Sequence, residues 1–169
     1  YQRFFHESYL AQIRQMPYLA GTAIWNEFDF SQPNVGGVSN NMNQKGMVTW
    51  DRKPKDSYFM YKANWNPKPM VYIASRDWKI RAGLINATST IEVYSNLPEV
   101  SLTINGKFYG TKKPNGINKC VWIVQLTDGE NKVSVFGKNQ VVDNFIINYR
   151  VYNEDLKANL NFIVGNNKS

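Results

Sequence analysis

Trp25, Asn26, Glu27 and Asp29 place an aromatic plate, an amide and two carboxylates within five residues of one another. Such a group can cover an apolar ligand face and hold polar atoms by hydrogen bonds. The competing account is that Trp25 and Phe28 fill a core while the acids are solvated. The single cysteine, Cys120, excludes an internal disulfide. Its neighbours Val121 and Trp122 suit a small buried side chain rather than a nucleophile. Asp128-Gly129-Glu130-Asn131 lacks the alternating acidic ligands of a calcium loop and is read as a turn. No metal site and no cofactor site is expected.

The elements that must position the Trp25 cluster can be read around it. Thr22 to Trp25 is a short apolar run after Gly21, the pattern of a strand buried on both faces in a parallel sheet covered by helices. At the carboxyl end of such a strand in a (β/α)8 barrel, chemistry is found. Upstream, Tyr1, Phe5, Tyr9, Ile13 and Met16 recur at helical steps and predict one face of an amphipathic helix, a face that an isolated slice of a barrel would leave exposed. Arg3, Glu7, Gln12 and Arg14 fall elsewhere on the wheel, and Pro17 ends the helix.

Downstream, Ser31 to Gln44 is a loop of fourteen residues rich in Pro, Gly, Ser and Asn, long enough to suggest function. Gly46 to Trp50 reads as a short extended piece. Asp56 is placed to cap a helix on which Tyr58, Tyr61 and Trp65 share a face. Asn66-Pro67-Lys68-Pro69 then forbids both helix and central strand, which makes it the clearest boundary.

Beyond that boundary the period changes to two. Strands are expected over 70–74, 90–94, 100–104, 119–126, 132–136 and 144–147, with hairpin signals at Asn105-Gly106 and Asp128-Gly129. Short strands at this spacing without intervening helices describe an antiparallel β-sandwich. The expected division is therefore 1–68, 69–150, and 151–169 as a linker or the start of a further domain, with an apolar stretch from Leu160 to Val164.

The 169 residues are 43% hydrophobic and carry a formal net charge of +7 with a pI near 9.4. Lys and Arg are scattered, with Arg52-Lys53-Pro54-Lys55 the densest run. A nucleic-acid interface needs a coherent basic face, so none is expected. No stretch approaches the roughly 20 apolar residues of a membrane span. Tyr1 stands where a start methionine would be and falls inside a predicted helix. A longer parent chain is expected, and targeting cannot be read.

Several stretches together resemble glycoside hydrolase family 2, and within it the bacterial β-galactosidases. They are Tyr1-Gln2, Phe5-His6-Glu7-Ser8-Tyr9-Leu10, Gly21 to Phe30, Lys45-Gly46-Met47-Val48-Thr49-Trp50-Asp51-Arg52-Lys53-Pro54-Lys55, and Tyr61 to Trp65. The likeness continues through Val93 to Asn96, Leu102 to Lys107 and Gly129 to Asn131. It implies a mixed fold, the last helix-strand-helix part of a TIM barrel followed by an immunoglobulin-like sandwich. It also implies a parent enzyme that retains configuration at the anomeric carbon and uses two glutamates about 5–5.5 Å apart. Both glutamates would lie upstream, so no catalytic residue is assigned here. Glu7 is expected to face solvent or a neighbouring helix, and Glu27 lies where the family places no chemistry.

The resemblance implies substrate-binding roles for three residues. Trp25 would floor the sugar pocket and exclude water, with a non-proline cis peptide after it. Asn43 and Lys45 resemble the Asn-x-Lys element with which β-glucuronidases hold a uronate carboxylate, although many β-galactosidases carry it too. Asn26 and Asp29 would support these from behind. β-Galactosidase is the leading expectation and β-glucuronidase the alternative. The partners implied are a β-linked glycoside and the remainder of the barrel, with a homo-oligomer open and the bacterial periplasm or cytoplasm as compartment.

A third expectation makes the chain non-catalytic, a carbohydrate-binding or scaffolding fragment. A binding role for the sandwich requires Trp78, Trp122 and Tyr109 to be exposed in one plane. A bracing role for residues 69–150 is preferred, because sandwich aromatics mostly fill cores.

Overall fold

The computed structural model describes residues 1–33, 41–137 and 142–152. Residues 34–40, within the predicted long loop, and 153–169, the predicted tail, lie outside the described residues. Two helices, α1 (Gln2–Ile13) and α2 (Asp56–Trp65), flank two short strands, β1 (Phe30–Ser31) and β2 (Met42–Asn43). Eight further strands follow: β3 (Val71–Ile73), β4 (Ile80–Leu84), β5 (Thr88–Ser95), β6 (Val100–Ile104), β7 (Lys107–Lys112), β8 (Lys119–Gln125), β9 (Gly129–Gly137) and β10 (Val142–Tyr152).

The strands after α2 form a five-stranded sheet in the order β4-β10-β9-β6-β7 and a three-stranded sheet in the order β3-β5-β8. Alternation produces the core. Along β8, Cys120, Trp122 and Val124 point inward while Val121 and Ile123 point out. They meet Leu102, Val135 and Ile147 of the other sheet in one buried cluster. Cys120 is buried there, as its neighbours predicted, and burial pushes its thiol up to about 11.

Three features of this half differ from the sequence reading. β4 runs parallel to β10, pairing Ile80 with Asn148, where an all-antiparallel arrangement was expected. β4 and β7 were missed because Gly83 and Gly110 interrupt their alternation. Asn105-Gly106 does turn the β6–β7 hairpin, with φ of 51° and 79°. Asp128-Gly129 makes no hairpin, since β8 and β9 lie in different sheets. The crossing is formed by fully buried Asn131, whose amide donates to the Thr127 carbonyl at 2.7 Å and accepts the Thr127 N–H at 3.0 Å.

The helical half packs on the outer face of the three-stranded sheet. Leu10, Met60, Tyr61 and Ala63 share a second core with Met70, Tyr72, Ala74 and Tyr94. The predicted apolar stripe of α1 is open in this chain, with Phe5 and Tyr9 exposed, while His6 and Leu10 on its other side are buried. Polar pairing holds that other side to the sheet. Arg3 ion-pairs with Glu92, Glu7 hydrogen-bonds the Tyr94 hydroxyl, and Lys119 Nζ bridges Glu7 at 2.8 Å and Glu92 at 2.5 Å. Glu7 thus faces the sandwich rather than solvent.

In α2 the buried face is Ser57, Met60, Tyr61 and Ala63, while Tyr58 and Trp65 stay exposed. Asp56 makes no cap hydrogen bond. Its carboxylate accepts from the Tyr72 hydroxyl at 2.8 Å and the Ser75 N–H at 2.7 Å.

Thr22 to Trp25 forms no strand and joins no ladder among the described residues, and only Ile24 is partly covered. The expectation of a strand buried on both faces is not met within this chain. The predicted loop 31–44 is shorter than expected at its ends, because β1 and β2 zip them together through Phe30↔Asn43 and Ser31↔Met42.

Candidate functional site

The two stretches flanking the long loop form one unit. Met47 and Val48 donate their N–H groups to the carbonyls of Asn26 and Glu27, and Asp29 N–H returns to Val48 O, each at 2.9 Å. Asp29 is 6% exposed. Its carboxylate accepts Gly46 N–H at 3.0 Å and Lys55 Nζ at 2.7 Å. Lys55 Nζ also donates to the Gln44 carbonyl at 2.9 Å. From α1, Gln2 Nε2 donates to the carbonyls of Lys45 at 2.9 Å and Gly46 at 2.8 Å. The loop 43–46 is therefore tied on three sides by groups distant in sequence.

Inside the loop, Asn43 Oδ1 accepts Lys45 N–H at 3.1 Å, the local turn that asparagine favours. Asn43 Nδ2 donates to Gln32 Oε1 at 2.6 Å. Asn43 is buried, whereas Lys45 is exposed and takes part in no ion pair among the described residues. An ammonium without a carboxylate partner is available to an anionic or hydroxyl-rich ligand.

Trp25 is 71% exposed and meets Phe30 edge to face, ring centroids 6.4 Å apart. The Trp25–Asn26 peptide is cis, as the resemblance implied. Asn26 Nδ2 donates to the Phe28 carbonyl at 2.8 Å, and its Oδ1 is buried without a partner.

Trp25, Asn43 and Lys45 line a single open cavity of about 850 Å³. Thus the three residues assigned to ligand contact come together in space. Asn26 and Asp29 do not line it, and Asp29 acts on the loop from beneath. Exposed Glu27 does not reach it either. The cavity continues along the exposed α1 stripe of Tyr1, Phe5 and Tyr9. Among the described residues no carboxylate lines it, so the lining offers aromatic, amide and ammonium groups but no acid pair.

Sequence reasoning missed Gln2, Gln32, Lys55 and the His6–Tyr61 pair. His6 Nδ1 lies 3.1 Å from the Tyr61 hydroxyl, and burial lowers the His6 pKa, favouring the neutral ring. Lys55 sits in a basic run that reads as solvated; only the burial of Asp29 shows otherwise. Gln2 lies in a stretch that resembles the family, but a polar residue off the apolar stripe points to no role by itself. On the sandwich, the coplanar aromatic surface fails, because Trp122 is 2% exposed while Trp78 is 73% exposed.

Residues 86–143 match the family described as a domain of unknown function, DUF4982. Over 156 residues the chain is 35% identical to a β-glucuronidase of Bacteroides fragilis, covering 89% of this chain and 22% of that protein. The chain is glycoside hydrolase family 2-like. A second relative, β-galactosidase BoGH2A of Bacteroides ovatus, is 28% identical over 142 residues, covering 81% of this chain and 16% of its own length. The structure of Bacteroides uniformis β-glucuronidase 3 superposes with a TM-score of 0.79 at 34% identity, over 90% of this chain and 20% of that one. The family 2-like chain thus spans about a sixth to a fifth of the length of these relatives, and its strand-rich fold with two helices superposes on that part of the Bacteroides uniformis structure.

Proposed function

We propose that this chain contributes one wall of the sugar site in a longer retaining β-glycosidase. The observation that carries the reading is the convergence of Trp25, Asn43 and Lys45 on one cavity. Trp25 offers a flat apolar face for the C–H side of a sugar ring and excludes water from it. The Lys45 ammonium, without an ion-pair partner among the described residues, can pair with a carboxylate or donate to hydroxyls.

The parent enzyme cleaves by a two-glutamate mechanism whose acids come from outside this chain. Residues 1–68 form the last helix-strand-helix part of its TIM barrel. The exposed stripe of Tyr1, Phe5 and Tyr9 and the unpaired edge at Thr22 to Trp25 are where neighbouring barrel elements pack. Residues 69–150 form an immunoglobulin-like sandwich that braces the barrel. Support for the bracing role is the shared core of Leu10, Met60, Tyr72 and Tyr94.

Of the two sugar classes, a β-glucuronide fits Lys45 best. A β-galactoside is the second reading, supported by the likeness to BoGH2A. The test assays the complete enzyme on matched aryl β-glucuronide and aryl β-galactoside, with wild type and Lys45→Ala. A glucuronide-selective loss in Lys45→Ala supports the first reading. Equal losses on both substrates, or turnover of galactoside alone, overturn it.

A further inference from the structure

Among the described residues the Lys45 side chain has no ion-pair or hydrogen-bond partner, so the position of its ammonium follows its backbone. Five contacts fix that backbone: Gln2 Nε2 on the Lys45 and Gly46 carbonyls, Asn43 Oδ1 on the Lys45 N–H, Asp29 on Gly46 N–H, and Lys55 Nζ on the Gln44 carbonyl. Lys55 is the hub, because it holds Asp29 and Gln44 at once, at 2.7 and 2.9 Å. The two lysines differ in kind. Lys45 is exposed at the cavity, while Lys55 retains 21% of its side-chain exposure, is paired with Asp29, and lines no part of the cavity.

We propose that Lys55, together with Gln2, is a positioning residue for sugar specificity, setting where the Lys45 ammonium meets the substrate. This rests on the reading of Lys45 as a carboxylate contact. A charge-assisted pair depends steeply on placement, and a displacement of about 1 Å at a binding group can cost on the order of a hundredfold in rate. Releasing the Gln44 carbonyl and Asp29 frees the loop to shift while leaving Trp25 and the glycosidic-bond chemistry in place.

The experiment uses the complete enzyme and two substrates that differ only in the carboxylate, aryl β-glucuronide and aryl β-glucoside. Wild type, Lys45→Ala, Lys55→Met, Lys55→Arg and Gln2→Leu are compared by kcat and KM, with Tm as the check on folding. The expected result for Lys55→Met is a rise in glucuronide KM of about tenfold or more, with a much smaller change on the glucoside. Lys55→Arg, which can still bridge an acid and a carbonyl, restores most of the difference. Gln2→Leu shifts selectivity the same way and decides the matter if Lys55→Met does not fold.

Retained glucuronide selectivity in folded Lys55→Met and Gln2→Leu, with Lys45→Ala impaired, overturns the positioning role alone. Loss on both substrates in equal measure also overturns it, as a purely structural role. A wild type that ignores the carboxylate overturns both the positioning role and the Lys45 reading beneath it.

Discussion

Asp29 and Gly46 stand seventeen residues apart and meet at 3.0 Å, the Asp29 carboxylate accepting the Gly46 N–H. A Cβ at Gly46 would lie 2.2 Å from the Asp29 backbone nitrogen and 2.3 Å from the Phe28 carbonyl carbon. Both neighbours are backbone, so neither can move aside cheaply. Gly46→Ala is expected to push the two segments apart and destabilise the protein by about 1–3 kcal/mol, as overpacking does. Thermal unfolding of the complete protein measures this. An unchanged Tm would show that the contact yields more easily than its geometry says.

Trp25 is too exposed here to support the fold. Trp25→Ala should leave the Tm of this chain nearly unchanged. In the complete enzyme it should lower kcat/KM by about tenfold to a hundredfold, the equivalent of losing about 1.5–3 kcal/mol of apolar contact with substrate. Equal kinetics on an aryl β-glycoside would remove Trp25 from the sugar site.

Lys119 lies between two carboxylates, Glu7 and Glu92, with side chains 11%, 12% and 18% exposed. Lys119→Met leaves Glu7 without its cation at the seam between α1 and the sheet. Breaking one partner of such a buried group is expected to cost about 3 kcal/mol. Chemical denaturation of wild type and variant would measure it, and a difference below about 1 kcal/mol would class the pair with exposed ones.

Glu92 sets a pH dependence. Burial pushes its carboxyl up, but the hydrogen bond from Lys119 and the charge of Arg3 outweigh burial and hold it below its ordinary value of 4.5. A depressed native pKa contributes stability that is present above the unfolded value and lost as pH falls through the native one. Tm should therefore hold from pH 7 to about 5 and drop below about 4.5. Glu92→Gln should lower Tm near neutrality and flatten the acid limb. An acid limb as steep as that of wild type would exclude Glu92 as its source.

No backbone hydrogen bond is made by the amides of Thr22 to Trp25 among the described residues. In this chain by itself they should exchange with solvent far faster than those of β9 and β10, which pair along eight successive positions. Within the complete enzyme the same amides should become protected as barrel neighbours supply a ladder. Strong protection in the isolated chain would contradict the barrel placement.

The alternation along β6, β8 and β9 made the sandwich half legible, because a period of two needs no knowledge of the partner strand. The Asn105-Gly106 turn was legible for the same local reason, as both positions adopt positive φ. The pairing of Trp25 with the Asn43–Lys45 element came from the resemblance to glycoside hydrolase family 2. Their spatial convergence then followed from contacts the order of motifs cannot express.

What the residues determined alone was local: strand faces, one hairpin, the breaks at Pro17 and at 66–69, and the types of group available for binding. Tertiary structure decided which face of α1 is buried, because Arg3 and Glu7 are drawn to Glu92 and Lys119 over eighty residues away. It also decided that Asp56 ties α2 to β3, that Asp128-Gly129 crosses between sheets, and that Lys55 grips the loop bearing Lys45. Each depends on a buried polar group finding a distant partner. The cost of leaving such a group unpaired is fixed by its burial, which no window of neighbouring residues encodes.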